Sequence, residues 1–258
     1  MRIDIPADRV AVVCGGTAAI GECIALRLAQ SGCRRVVVCG RSVARGADTL
    51  ARLTSACANA EFHFVQCDIA EPGGVDAMFE SIATRVGEFD IYVHCVPPGG
   101  AGGRLGVADR LRFRQSLSNG LGALADACAR ACDVLRKRGG GAIVLFASDA
   151  GRTASPGHSL IGVVQSGIIS LTRSLALEVA QDKIRVNGIS PSYVLGTPLV
   201  DRLRSTAASK AIDAAERRAG LGLPTPDDIA PLAAFLASPL AARITGQVVS
   251  INGGLGAY

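Results

Sequence analysis

Short apolar runs alternate along the whole chain with longer stretches of helical spacing. The runs cover residues 10–14, 35–39, 61–67, 90–96, 142–147, 184–189 and 247–251. Runs of this length that end in glycine or polar residues are typical of buried strands. Between them lie amphipathic segments such as residues 20–30, which Ser31-Gly32 ends. Strands that alternate with helices predict parallel pairing with right-handed crossovers, and therefore a doubly wound α/β sheet covered by helices on both faces.

The composition fits one such domain. The 258 residues are 49% hydrophobic and 19% charged, which supplies a large core and argues against disorder. We therefore expect residues 1–258 to form a single domain, with a lid-like insertion at about 197–222 before a helix that begins near Pro226. The net charge of +5 is mild and the basic residues are scattered, so we expect no nucleic-acid partner.

The cysteines and the lack of long apolar segments favour a cytoplasmic protein. The nine cysteines include no Cys-x-x-Cys pair, and several lie inside apolar runs, where a thiol acts as a small hydrophobe. We find no secretory leader pattern and no stretch long enough to cross a bilayer. We expect a cytoplasmic protein with no membrane partner and no metal site, because a reducing compartment suits free thiols.

The glycine-rich turn after the first strand suggests dinucleotide binding. It reads Cys-Gly-Gly-Thr-Ala-Ala-Ile-Gly over residues 14–21 and opens the first helix. This resembles the Thr-Gly-x-x-x-Gly-Ile-Gly loop of the short-chain dehydrogenase/reductase family, with Ala19 in place of the middle glycine. Glycines let the backbone approach a pyrophosphate, and the helix N-terminus offers free N–H groups. The resemblance implies cofactor contacts from four residues: Gly15, Thr17, Ile20 and Gly21.

The ends of the second and third strands bear on the choice of cofactor. NAD-preferring members of the family carry an acidic residue where this chain has Gly40, and Arg41 follows it. The pair resembles the NADP pattern, in which a guanidinium holds the 2′-phosphate; a surface arginine after a strand is the alternative. Asp68 and Ile69 resemble the family's adenine-contacting pair, so the resemblance implies NADP(H) or NAD(H).

The fourth strand departs from the family pattern. Residues 90–97 read Asp-Ile-Tyr-Val-His-Cys-Val-Pro, where the family has Asp-x-Leu-Val-Asn-Asn-Ala-Gly. Val96 and Pro97 are bulkier than the alanine and glycine that leave room for the cofactor's ribose, and proline cannot donate a backbone hydrogen bond. We hypothesise that this corner fills part of the nucleotide cleft, so that cofactor binding has been lost.

The catalytic end of the chain is only partly retained. Ser148, after the fifth strand, matches the family's substrate-orienting serine, and Asn119 matches its catalytic asparagine. The family's active-site helix opens with Tyr-x-x-x-Lys, but here Ile161 and Gln165 stand in those places. A tyrosine phenol has a pKa near ~10 and needs a neighbouring lysine to act at neutral pH. Neither Ile161 nor Gln165 can transfer a proton.

Four other residues could replace the missing proton donor: His158, Tyr193, Asp149 and His94. His158 lies three residues before Ile161, and Tyr193 follows Pro191 in a segment that resembles the family's Pro-Gly-Tyr-Val. Each is better explained by loop structure or packing.

Three functions remain open at this point. In the first, the chain is a degenerate, non-catalytic subunit that assembles with an active homologous sister chain into a hetero-oligomeric NAD(P)-dependent alcohol or hydroxyacyl-CoA dehydrogenase. Members of the family pair through the helices that hold Asn119 and residues 161–180, and heteromeric members with one inactive subunit are known. In the second, it is an NADP(H)-dependent carbonyl reductase or alcohol dehydrogenase with an unusual proton donor. In the third, it is a lyase, isomerase or ligand sensor. A cluster of arginines could meet an anionic substrate such as an acyl-CoA, or form a solvated face or subunit contact: Arg104, Arg110, Arg112 and Arg114.

Overall fold

The protein is built around one parallel sheet. The computed structural model describes residues 3–99, 104–105 and 110–257. In that part of the chain the strands are β1 (Val10–Cys14), β2 (Arg35–Gly40), β3 (Glu61–Gln66), β4 (Ile91–His94), β5 (Gly141–Phe146), β6 (Ile184–Pro191) and β7 (Val248–Ile251). They pair in the order β3-β2-β1-β4-β5-β6-β7, and every pair is parallel. The predicted doubly wound α/β fold is therefore confirmed.

Helices connect the strands and cover both faces of the sheet. They are α1 (Ala19–Gln30), α2 (Val43–Ala56), α3 (Gly74–Val86), α4 (Arg110–Gln115), α5 (Ala123–Lys137), α6 (Ser159–Glu178), α7 (Pro198–Arg204), α8 (Ser209–Arg218) and α9 (Pro226–Ala237). A π-helical turn, Ser116–Gly122, joins α4 to α5. The predicted helices at residues 20–30 and from near Pro226 correspond to α1 and α9.

The fourth strand is shorter than its apolar run predicts. It ends at His94 instead of residue 96, although the Cys95 amide still donates to the Cys14 carbonyl over 2.8 Å. Pro97 and Pro98 have no N–H to continue the ladder, so the chain leaves the sheet here.

Alternation along the strands divides the core between the two faces of the sheet. Val12 and Tyr92 point to a face packed by α3, α5 and α6, whereas Val13 and Val93 point to the face covered by α1 and α9. Both faces are buried, which explains why the central strands are continuously apolar.

The insertion at 197–222 folds into α7 and α8, which share a small apolar cluster of their own. Val200, Ile212 and Leu223 form its centre. The Leu221 amide donates to the Gly253 carbonyl over 3.0 Å, and a Cβ on Gly253 would lie 1.7 Å from the Gly222 carbonyl oxygen. The insertion is thereby packed directly against the segment that follows β7.

Among the described residues, one helix is long and apolar enough to cross a membrane by length and composition, namely α6. Its inner face contains Val164, Ile168 and Ile169, which are buried against the sheet and the neighbouring helices. Only 39% of its apolar window is buried within the chain. The helix is thus a core element whose outer face stays open to solvent.

Asp90 ties the amino-terminal edge of the sheet together. Its carboxylate is 2% exposed and accepts hydrogen bonds from the Val10 amide at 2.9 Å, from Arg9 Nη1 at 2.6 Å and from Arg138 Nη2 at 2.9 Å. One side chain thereby links the entry of β1, the entry of β4 and the end of α5. Charge-assisted bonds of this kind are stronger than neutral ones.

We expect Asp90→Ala to lower the free energy of unfolding by about 2 kcal/mol, because the buried Val10 amide loses its acceptor and two guanidinium groups lose their partner. Urea denaturation followed by circular dichroism measures this. The control is Asp133→Ala, which removes an exposed ion pair to Arg136 and should cost at most about 0.5 kcal/mol. Equal losses for the two variants would contradict the role given to Asp90.

Candidate functional site

The loop between β1 and α1 keeps the tight backbone that a dinucleotide-binding turn requires. Gly15 has φ +84° and its amide donates to the Cys39 carbonyl over 3.0 Å. A Cβ on Gly15 would lie 2.7 Å from the Cys95 carbonyl oxygen, and one on Gly21 would lie 2.2 Å from the Gly15 carbonyl oxygen. Only glycine fits at either position, so the close approach of backbone to backbone is retained.

The first turn of α1 is open toward this loop. Ala18 occupies the N-cap position and offers no side-chain acceptor to the free amides of the first turn. Glu22, the acidic residue in that turn, is held by Arg52 at 2.7 Å. Ala19, in place of the family's middle glycine, adopts φ +43°, so the chain keeps the left-handed turn despite the added methyl group. The amides and the helix dipole fit a diphosphate.

The ends of β2 and β3 bring Arg41 and Asp68 together. Arg41 is 71% exposed and lies 3.8 Å from the Asp68 carboxylate. Both line a shallow cavity of about 400 Å³ with Gln66 and Cys67. A Cβ at Gly40 would lie 2.5 Å from Thr17 Oγ1. The acidic residue that holds the ribose in NAD enzymes would therefore collide with Thr17, whereas the exposed guanidinium can reach a 2′-phosphate.

Two other predicted cofactor residues face the protein interior to different extents. Ile69 is buried in the core on the α3 side of the sheet, so only its backbone can contact a nucleotide. Ile20 is partly buried, because it packs against the core on the α9 side of the sheet. Only the exposed part of its side chain can contact a nucleotide.

The end of β5 and the start of α6 position Ser148, Ile161 and Gln165. Ser148 is half-buried, and its hydroxyl accepts a hydrogen bond from the Ala150 amide over 3.3 Å. The loop then packs onto α6: a Cβ on Gly151 would lie 2.6 Å from the Gln165 carbonyl carbon, and Ser166 Oγ donates to the Gly151 carbonyl over 2.8 Å. The serine loop is thus fixed to the helix that carries the two substitutions.

Ile161 and Gln165 stand where the family resemblance implies a tyrosine and a lysine. Ile161 is half-buried near the start of α6. Gln165 is 6% exposed, and its Oε1 has no hydrogen-bond partner within the chain. A buried amide oxygen without a partner carries a desolvation cost. An additional donor, such as a ribose hydroxyl, would satisfy it.

Asn119 lies on a different element from Ser148, Ile161 and Gln165. It is exposed on the π-helical turn and opens into a shallow cavity of about 520 Å³ whose lining comes from the β3–α3 loop, the turn itself and α5. Its neighbour Gly120 is buried, and a Cβ added there would lie 2.1 Å from the Pro98 carbonyl oxygen. The turn therefore presents a glycine to the loop after β4, and the match of Asn119 to the family's catalytic asparagine stays a prediction.

The alternative proton donors differ in how they are held. His94 is fully buried and its Nδ1 lies 3.0 Å from the Tyr92 hydroxyl; burial lowers its pKa to about 4, so it is neutral and shielded from substrate. Tyr193 packs against the apolar cluster of the insertion, and burial raises its pKa. His158 is half-buried at the N-cap of α6 and makes no capping hydrogen bond. His158 is therefore the best placed of the three.

Asp149 belongs to a polar network that no local sequence pattern indicates. Its buried carboxylate accepts hydrogen bonds from Ser190 Oγ at 3.2 Å, Ser250 Oγ at 3.1 Å and Asn252 Nδ2 at 2.7 Å. The residue after Ser148 is thereby fixed to β6, to β7 and to the segment beyond it. The donors lie up to 103 residues from Asp149 along the chain, and only the folded sheet brings them to its carboxylate.

Comparisons with known proteins agree with this architecture. The family model described as Enoyl-(Acyl carrier protein) reductase matches residues 15–256. D-threitol dehydrogenase of Mycolicibacterium smegmatis is 34% identical over 95% of this chain and 92% of its own length. Acetoacetyl-CoA reductase of Cupriavidus necator is 29% identical, over 96% and 97%. An actinorhodin polyketide ketoreductase variant crystallised with NADPH superposes with a TM-score of 0.88 at 28% identity, over 97% of this chain and 98% of that one.

We expect Ala19→Gly to raise the free energy of unfolding by about 0.5 kcal/mol, because relief of the left-handed strain exceeds the entropy cost of a glycine. Urea denaturation measures the change. Ala29→Gly is the matched control: Ala29 lies within the helix α1, where a glycine should only destabilise. A destabilisation of equal size at both positions would show that Ala19 is not strained.

Proposed function

Because the chain belongs to the short-chain dehydrogenase/reductase family, we propose that it is a non-catalytic subunit of a hetero-oligomeric NAD(P)-dependent alcohol or hydroxyacyl-CoA dehydrogenase. A homologous sister chain would carry out the proton transfer. The alcohol dehydrogenase of benzylsuccinyl-CoA β-oxidation is the kind of heteromeric member that this arrangement resembles.

The observation that carries the proposal is the pair Ile161 and Gln165 beside an otherwise intact site. The loop with Ser148 is fixed to α6 and, through Asp149, to β6 and β7. Yet neither side chain that replaces the tyrosine and lysine can donate or accept a proton at neutral pH. Selection for assembly alone would preserve the fold of the site and would not preserve its proton donor.

The outer face of α6 supports a partner subunit. Leu177 is 79% exposed and Val163 is also exposed, although both lie on a long apolar helix. The exposed positions between them include Ser166, Ser170 and Ser174, small side chains that allow another helix to approach closely. Related chains that share such a face can pair symmetrically or with each other.

The adenosine half of the nucleotide site supports retained binding of NADP(H). The glycine turn, the open first turn of α1 and Arg41 fit a diphosphate and a 2′-phosphate. When bound, the nicotinamide supplies hydride transfer, for which this chain offers Ser148 but no acid. The unpartnered Oε1 of Gln165 could accept a hydrogen bond from a ribose hydroxyl, a contact that lysine would make with an added positive charge.

The name of one relative, four exposed arginines and the cysteines bear on the substrate class and the compartment. A relative acts on acetoacetyl-CoA by its name. The arginines at positions 104, 110, 112 and 114 are exposed, and their positive charge suits an anionic acyl-CoA. The nine free cysteines suit the cytoplasm.

The experiment is purification from the native source followed by identification of co-purifying chains. We expect a sister chain that contains Tyr-x-x-x-Lys, and no oxidation of NADPH with acetoacetyl-CoA by this chain alone. Turnover should appear when the two are co-expressed. A homo-oligomer with turnover of its own would overturn the proposal.

We expect Leu177→Glu to weaken subunit assembly, because a carboxylate would have to be desolvated in the contact. Size-exclusion chromatography with light scattering on the assembly measures the shift to smaller species. Leu221→Glu is the matched control, since Leu221 is 91% exposed but lies in the insertion. If both variants assemble like the wild type, or both dissociate, the α6 contact is wrong.

A second candidate, an NADP(H)-dependent carbonyl reductase, is favoured by the position of His158 and by the reductases among the relatives. In that case His158 would supply the proton to the carbonyl oxygen. His158→Ala should then lower kcat by a factor on the order of 10² or more. Tyr193→Phe is the control that keeps the ring packed against the insertion. Turnover that survives His158→Ala would exclude this role.

A further inference from the structure

Three cysteines converge at the carboxyl edge of the sheet. Cys14 ends β1 and stands directly opposite Cys39 on β2. Cys67 follows β3, and its amide donates to the Gly40 carbonyl over 3.0 Å, so the chain continues alongside β2 past the end of the strand. Since Cys39 pairs with Val65, Cys67 lies on the same face of the sheet two residues further on.

The thiols interact with one another. Hydrogen bonds from the Cys14 and Cys39 thiols lower the pKa of Cys67, while the same contacts raise the pKa of both donors. Cys14 and Cys39 are fully buried, and Cys14 Sγ is also 3.6 Å from Met78 Sδ. Cys67 is therefore the member of the cluster whose thiolate form is favoured.

Cys67 is also the accessible member. It is only partly buried and lines the cavity that contains Arg41 and Asp68. Other cysteines lack this combination: Cys23 hydrogen-bonds to Asp227, and burial raises its pKa to about 11. Cys95 is on the opposite face of the sheet, where burial raises its pKa to about 12. A partly exposed sulfur with two thiols as neighbours is the arrangement of a redox-reactive cysteine.

We propose that Cys14, Cys39 and Cys67 form a redox-sensitive thiol site, in which a hydroperoxide oxidises Cys67 and one of the two buried thiols resolves it. In the first step the Cys67 thiolate attacks the peroxide. An S–O bond forms, the O–O bond breaks, and the leaving oxygen takes a proton and departs as an alcohol or water. In the second step the Cys14 or Cys39 thiol attacks the sulfenic acid, forming a disulfide and releasing water. The site does not depend on the function proposed above.

The test is peroxide treatment of the full-length protein, followed by denaturation, blocking of free thiols and peptide mapping. We expect a disulfide that joins Cys67 to Cys14 or Cys39, reversed by dithiothreitol. Before oxidation, iodoacetamide at neutral pH should modify Cys67 on the order of tenfold faster than Cys23. That measurement needs no variant, so it stands even if substitution of a buried cysteine impairs folding.

Three variants complete the experiment. Cys67→Ser should abolish the disulfide and leave Cys14 and Cys39 reduced. Removal of both resolving thiols, Cys14→Ala with Cys39→Ala, should stop the reaction at a sulfenic acid that dimedone traps on Cys67. Cys23→Ser should behave as the wild type. Oxidation spread evenly over the cysteines, or a disulfide that persists in Cys67→Ser, would overturn the proposal.

Discussion

Parallel pairing of the strands is the constraint on which the rest of the molecule depends. Because all neighbours in the sheet run the same way, every strand ends at the same edge. The phosphate loop after β1, Arg41 after β2, Asp68 after β3 and Ser148 after β5 therefore meet along one line. The same geometry gathers Cys14, Cys39 and Cys67, which lie far apart in sequence. At the opposite edge, the Asp90 carboxylate links the start of β1 to the end of α5 through hydrogen bonds.

Backbone and chemistry have been retained to different extents at the carboxyl edge. The turn at Gly15 and Gly21 keeps contacts that no other residue could make. Ala19 keeps a left-handed φ at an energetic cost, which indicates that the shape of the turn is still required. At the catalytic end the backbone is equally well fixed, because the loop after Ser148 is bound to α6 and, through Asp149, to β6 and β7. The side chains at positions 161 and 165, by contrast, are not the tyrosine and lysine that the family resemblance implies there.

Burial explains why two of the other titratable groups are poorly placed to donate a proton to a substrate. His94 stands where the family has an asparagine, but it is enclosed with Tyr92 in the core and stays neutral. Tyr193 is engaged in the packing of the insertion. An apolar α6 with an exposed Leu177 has no such internal explanation, because its inner face alone satisfies the core. This outer surface is the basis of the subunit contact proposed above.

Periodicity and local motifs in the sequence were enough to determine the order and type of the strands, the phosphate loop and the missing tyrosine and lysine. These features depend on neighbouring residues, whose spacing reports directly on backbone geometry and burial. Only the tertiary structure placed Asn119 on a π-helical turn, beside a shallow cavity to which the β3–α3 loop and α5 also contribute. The three donors around Asp149 and the three interacting thiols were likewise invisible in the sequence. They come from strands that are distant along the chain, and a pattern of adjacent residues carries no information about which strand ends become neighbours.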